Sequence, residues 1–156
     1  MSRWPAFVAA PLAVVAPAAL ATVYLSAEQA QRAMFPGAVL SAIKGDFAKA
    51  RIWSVSGGGW FIVDEVLGKH EFITYAVGLN ADGSVRGVEI LVYLESHGGE
   101  IRNADWRRQF IGKTAASHLR LDDDIRNISG ATLSCRHVTD GIKRLLALHE
   151  PALKQR

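Results

Sequence analysis

Hydrophobic and polar positions change rhythm several times along the chain. From Trp4 to Ala27 nothing is charged: "WPAFVAAPLAVVAPAALATVYLSA". In "EQAQRAMFPGA", Ala30, Ala33 and Met34 recur at helical spacing, and Pro36-Gly37 stop the helix. Residues 39–55 follow neither a helical nor a strand period, and "SGGG" at 56–59 reads as a turn. Two aromatic and β-branched runs come next, "WFIVDEVL" (60–67) and "EFITYAVGL" (71–79), joined by Gly68-Lys69-His70 as a hairpin turn.

After the turn "NADGS" (80–84), the run "VRGVEILVYL" (85–94) alternates. One face carries Val85, Gly87, Glu89, Leu91 and Tyr93; the other carries Arg86, Val88, Ile90, Val92 and Leu94 and reads as the core face. "ESHGGEIRN" (95–103) is a loop. "ADWRRQFIGKTAASHL" (104–119) predicts a helix started by Asp105, with Trp106, Phe110 and Ile111 on one face. "RLDDDIRN" is a polar connection or short strand. "RHVTDGIKRLLALHE" is a C-terminal helix with Val138, Ile142, Leu145, Leu146 and His149 on one stripe, ended by Pro151. The pattern predicts an α+β fold: a small antiparallel sheet, three successive strands in a meander, with helices packed against one face.

The uncharged segment adds a membrane question. Its 24 residues would span about 36 Å as a helix, enough for a bilayer core of about 30 Å. It reads as a signal anchor with Arg3 on the cytoplasmic side, or as a cleaved signal peptide with Ala19-Leu20-Ala21 as the small-x-small site. Three prolines, Pro5, Pro11 and Pro17, argue against a buried soluble helix. The expected organisation is a membrane anchor or signal segment over 1–27 and one domain over 28–156, outside the cytoplasm in either case.

Composition narrows the function classes. Mean hydropathy is +0.12, and 49% of residues are hydrophobic, with the excess concentrated in that first segment. Setting Arg3 aside, 17 basic residues face 15 acidic ones, so nothing supports a nucleic-acid partner. Cys135 is the single cysteine, which excludes an internal disulfide, a c-type haem and a Cys-based metal cluster. His70, His118, His137 and His149 share no ligand spacing, so no metal site is expected. No nucleophile has a neighbouring base in the usual arrangement, except that His137 lies five residues after Thr132.

One stretch holds more polar chemistry than a helix start requires. In "NISGATLSCRH" (127–137), Ser129, Thr132 and Ser134 surround a Gly130-Ala131 pair immediately before the C-terminal helix. Gly130 permits positive φ or close approach. The helix start presents unpaired N–H groups and the positive dipole end, with Arg136 one turn in, which suits a phosphate. The plain alternative is a turn followed by a Ser134 N-cap worth about 1 kcal/mol.

"SGATLS" resembles the S/T-G-A-T-x-S/T signature of the FMN-binding domain family, known from subunits of the sodium-pumping NADH:quinone oxidoreductase and of the Rnf complex. Those subunits also carry an E-T-P-G loop and an aromatic helix ending in Q-F-x-G. Here these correspond to "ESHGG", with Glu95, and "WRRQFIGK", with Trp106, Gln109, Phe110 and Gly112. "AMFPGA" after a membrane segment also fits, so the likeness covers about residues 26–150. Two positions depart: Arg126 stands where an acid is usual, with Asp124 the nearest acid, and Ser96-His97 replaces Thr-Pro.

The resemblance implies FMN joined through its phosphate to the motif threonine, Thr132, with Ser134 as second candidate. Ser129, Gly130, Ala131 and Leu133 complete the cradle, and Glu95 either touches the flavin or bonds to backbone. It also implies a flavin transferase that takes FMN from FAD with magnesium and releases AMP. Trp60, Tyr93, Trp106 and Phe110 read as core rather than as a flavin sandwich, and Cys135 as a buried thiol. The expectation is a membrane-anchored, extracytoplasmic electron carrier whose partners are other membrane redox subunits and the transferase, with no catalytic residues of its own. Two alternatives stay open: a flavin-dependent reductase using His97 as proton donor, and a flavin-free structural subunit.

Overall fold

The computed structural model describes residues 22–149 and 153. The apolar residues 1–21, on which the anchor and signal-peptide readings rest, lie outside the described residues, as does Pro151. Among the described residues no helix is long and apolar enough to cross a membrane.

Six antiparallel strands form one sheet: β1 (Thr22–Val23), β2 (Leu40–Ile43), β3 (Arg51–Val55), β4 (Trp60–Leu67), β5 (Phe72–Leu79) and β6 (Val85–Tyr93). Their order is β1-β6-β5-β4-β3-β2. The expected meander is therefore present as β4-β5-β6, extended by two strands from the segment that sequence left undecided. Periodicity fails there because β2 is a half-exposed edge strand and β3 buries Ile52 and Val55 on opposite faces of the sheet. Thr22–Val23 pair with Tyr93 and Val92, so part of the uncharged segment joins the sheet.

The sheet is covered on both faces, not one. The larger core lies under the C-terminal helix α3 (Thr132–Ala147), where Val138, Ile142, Leu145 and Leu146 are buried as the stripe predicts, with His149 beyond the helix end. The opposite face is closed by α1 (Ala27–Met34), which buries Ala30 and Met34 against Phe61, Val63 and Leu91. Ser26 starts α1 with a reciprocal capping box to Gln29. Ala33, expected on the apolar face, is exposed.

Strand β6 departs from simple alternation. Thr74 pairs with Val92 and Tyr75 with Ile90, skipping Leu91; Gly78 pairs with Gly87 and Leu79 with Val85, skipping Arg86. Each bulge adds one residue and flips the following side chains. The main core consequently takes Val85, Val88, Ile90 and Tyr93, while Leu91 and Val92 serve the second core and Arg86 is exposed.

The helix expected over 104–119 is only one turn and a half, α2 (Ala104–Arg108), preceded by a 3-10 turn at Gly99–Arg102. The chain leaves it at Gly112, whose φ of 81° cannot continue a right-handed helix, and whose N–H donates to Val85 O at 2.8 Å. Asn103, not Asp105, occupies the N-cap position; Asp105 pairs with Arg108 on the surface. Trp106 and Phe110 are buried edge to face at 5.1 Å, but Ile111 is 55% exposed.

Candidate functional site

The hydroxyl-rich turn sits at the start of α3, where its first turn meets the β4–β5 turn and the loop after β6. Helix α3 begins at Thr132, three residues earlier than a Ser134 cap would require. Ala131 is its N-cap, and no side chain caps it. Its first turn holds no acidic residue. Uncapped N–H groups and the helix dipole therefore remain available for an anion.

A cavity of about 500 Å³ opens there, lined by Lys69, His70, Glu95, His97, Gly130 and Thr132 among others. A second, of about 800 Å³, adjoins it through Ser96, His97 and Gly130, and runs along Gly99, Arg102 and Arg107. Each lies within the range of small-molecule and cofactor sites. Gly130 turns the chain into α3 at φ 85°, with nothing within 4 Å of a Cβ built there, so the turn is open toward the cavities.

The three hydroxyls have different fates. Ser129 is exposed. Thr132 is half-buried on the cavity wall, and its Oγ1 accepts a hydrogen bond from Asn127 Nδ2 at 3.1 Å. Ser134 is 5% exposed, and its Oγ lies 2.8 Å from Tyr93 Oη. Tyr93 has one hydroxyl hydrogen and donates it to the His97 carbonyl. Ser134 must then donate to Tyr93. The Ser134 hydroxyl is thus an internal strut. Leu133 is exposed at the rim, and Ala131 is buried beneath the turn.

Tyr93 also explains the loop at 95–99. Its bond to the His97 carbonyl uses backbone, so the Thr-Pro to Ser96-His97 replacement leaves the anchor intact. Gly98 is the constrained position: φ is 91°, and a Cβ there would stand 2.6 Å from Tyr93 Oη and 2.9 Å from Ser134 Oγ. Burial raises the Tyr93 pKa against the Ser134 bond that lowers it, with Glu95 and Glu100 adding to the rise, so the phenol stays a neutral donor. The His97 side chain is exposed at the mouth of both cavities.

Glu95 makes the backbone bonds expected of it and also lines the smaller cavity. Its Oε1 accepts from His70 N at 2.6 Å and Glu71 N at 3.0 Å, tying β6 to the β4–β5 turn. Desolvation would raise its pKa, but the backbone donors of Glu71, His70 and Lys69 outweigh it and hold the pKa below the usual value. Cys135 is buried, and desolvation raises its thiol pKa, which marks it as inert core.

Sequence reasoning missed how the aromatic motif reaches the turn. Trp106 Nε1 donates to the Arg126 carbonyl at 2.8 Å. Gln109 Oε1 accepts from Arg126 N at 2.7 Å, while its Nε2 donates back to Arg126 O at 3.5 Å. The short α2 thus grips the peptide one residue before "NISGAT". Asp124, the nearest acid, is committed elsewhere: it accepts from Leu119 N, Arg120 N and Lys113 Nζ and organises the loop over 113–125.

A family model of the FMN-binding domain matches residues 68–147. That span runs from the β4–β5 turn to the end of α3 and contains every residue of the cavity wall named above. The chain belongs to the FMN-binding domain family. FMN is accordingly its cofactor. No curated protein matches the chain. The residues present fit the group: an uncapped helix start, Lys69 and an open glycine turn suit its phosphate, and the adjoining larger cavity has room for the ring system.

Proposed function

We propose that this flavoprotein is an electron carrier with FMN joined by a phosphoester to Thr132, tethered to a bacterial cytoplasmic membrane with its domain on the outer side. The observation that supports the attachment site is the contrast between two hydroxyls that both line the cavity: Thr132 is half-buried at an uncapped helix start, whereas Ser134 is 5% exposed and its hydroxyl is tied to Tyr93. Bound FMN supplies the reversible electron chemistry. The protein's part is to hold the phosphate at the first turn of α3, to fix the loop 95–99 beside it through Tyr93, and to leave one edge open to partners.

The uncharged N-terminal segment supports the tether. Residues 4–21, which precede β1, would reach about 27 Å as a helix at about 1.5 Å per residue, close to a bilayer core. A covalent link keeps the cofactor in a compartment without a free flavin supply. A flavin transferase would install it, and other membrane redox proteins would exchange electrons with it.

The carrier role is tested by mixing the flavin-loaded protein with membrane fractions supplied with a respiratory donor. Bleaching of the flavin absorbance, without steady turnover of small acceptors by the protein alone, is expected. Turnover of a small acceptor by the isolated protein, lost in His97→Ala, would replace the carrier role with a reductase.

A further inference from the structure

The side chain that handles the Thr132 hydroxyl is Asn127. Its Nδ2 donates to Thr132 Oγ1 at 3.1 Å, and its Oδ1 is buried without a partner. A buried unpaired acceptor is costly, and Asp64 Oδ1, His137 Nδ1 and His149 Nε2 share that state among the described residues, so what sets Asn127 apart is its other end. Here the amide end is committed to Thr132. The residue is also carried on fixed backbone: Trp106 and Gln109 hold the Arg126 peptide just before it, and Ala131 N donates to Ile128 O at 3.0 Å just after.

We infer that Asn127 is a positioning residue for modification of Thr132, holding Oγ1 as nucleophile before the transfer and as ester oxygen after it. This rests on the phosphoester reading above. In the transfer, an Oγ1 lone pair forms the bond to the FMN phosphorus of FAD. The Oγ1 proton leaves to a base of the transferase or to water. The bond from that phosphorus to the bridging oxygen breaks, and AMP departs with the electron pair.

Throughout this sequence Oγ1 keeps a lone pair for Nδ2–H. A hydroxyl can both donate and accept, but an ester oxygen can only accept. A donor at position 127 therefore matches both states. A carboxylate there would match only the unmodified state, and would repel the phosphate as its bond to Oγ1 forms.

The test is the single-turnover rate of flavin transfer to the full-length protein by a purified flavin transferase with FAD and magnesium, followed by intact mass. It is run on wild type, Asn127→Asp and Asn127→Ala, with thermal melting of each unmodified protein alongside. The expected result is at least a tenfold lower rate at saturating FAD and transferase in both variants. Half-saturating concentrations and melting should stay close to wild type. A rate within twofold of wild type in either variant overturns the inference, as does a loss that tracks melting or half-saturation instead of the saturated rate. A wild-type protein that takes up no covalent flavin fails the phosphoester reading itself, which is a separate outcome.

Discussion

Gln109 holds the Arg126 peptide from both sides, accepting from its N–H at 2.7 Å and donating to its carbonyl at 3.5 Å. Residues 17 apart in sequence thereby set where the turn "NISGAT" begins. The position that departs most visibly from the family pattern contributes backbone to this clamp, while its side chain is exposed. Gln109→Ala should therefore cost about 1–2 kcal/mol, the usual worth of such bonds, and reduce flavin loading. Arg126→Asp should change stability by less than about 0.5 kcal/mol and leave loading as it was. Urea denaturation and intact mass check both; a gain in loading in Arg126→Asp would show that the missing acid matters after all.

The Tyr93–Ser134 pair fixes the loop over 95–99 against the start of α3. Tyr93→Phe removes the donor to the His97 carbonyl and leaves Ser134 Oγ without its acceptor, at a cost of about 1–3 kcal/mol. Amide exchange at residues 96–99 should accelerate while exchange in β4 and β5 stays slow. Equal acceleration across the sheet would mean that Tyr93 serves the core alone.

Gly98→Ala meets the same pair from the loop side. A methyl group would collide with the Tyr93 hydroxyl and force a non-glycine residue to φ 91°. The expected outcome is a lower melting temperature and weaker FMN retention, greater than for Gly112→Ala, where φ is also positive but nothing lies within 4 Å. Comparable melting for the two variants would contradict the proposed contact.

Asp124 gives a pH signature. Desolvation works to raise its pKa, but the N–H groups of Arg120 and Leu119 and the Lys113 ammonium prevail, holding the carboxyl far below its ordinary value. A depressed folded pKa means that its stabilisation is complete above the unfolded value of about 3.9 and is lost as pH falls through the folded one. Asp124→Asn should melt lower than wild type at pH 7, and the difference should shrink only at strongly acidic pH. A constant difference down to acid would remove the ionised carboxylate from the explanation.

Much of the fold is legible in local pattern. The β4–β5 hairpin follows from two aromatic and β-branched runs joined by a short turn, which suits strands buried on both faces, and α3 follows from its apolar stripe. The bulges at Arg86 and Leu91 are not legible, since a skipped partner leaves the residue types unchanged while reversing which face each one meets. Residues 104–119 mislead for a related reason: Trp106 and Phe110 sit at helical spacing, but Gly112 at positive φ turns the chain back to β6. At the site, "SGATLS" marks the place but does not rank its hydroxyls. What distinguishes them lies outside the six residues: Tyr93 ties the Ser134 hydroxyl, and Asn127 donates to that of Thr132.

The central claim is a flavin on Thr132, and intact mass under denaturing conditions tests it most directly. Wild type, Thr132→Ala and Ser134→Ala would each be co-expressed with a flavin transferase. A gain of one FMN less one water in wild type and Ser134→Ala, absent from Thr132→Ala, is the predicted result. Covalent flavin persisting in Thr132→Ala and lost in Ser134→Ala would contradict it, and so would a wild-type protein with no covalent flavin at all.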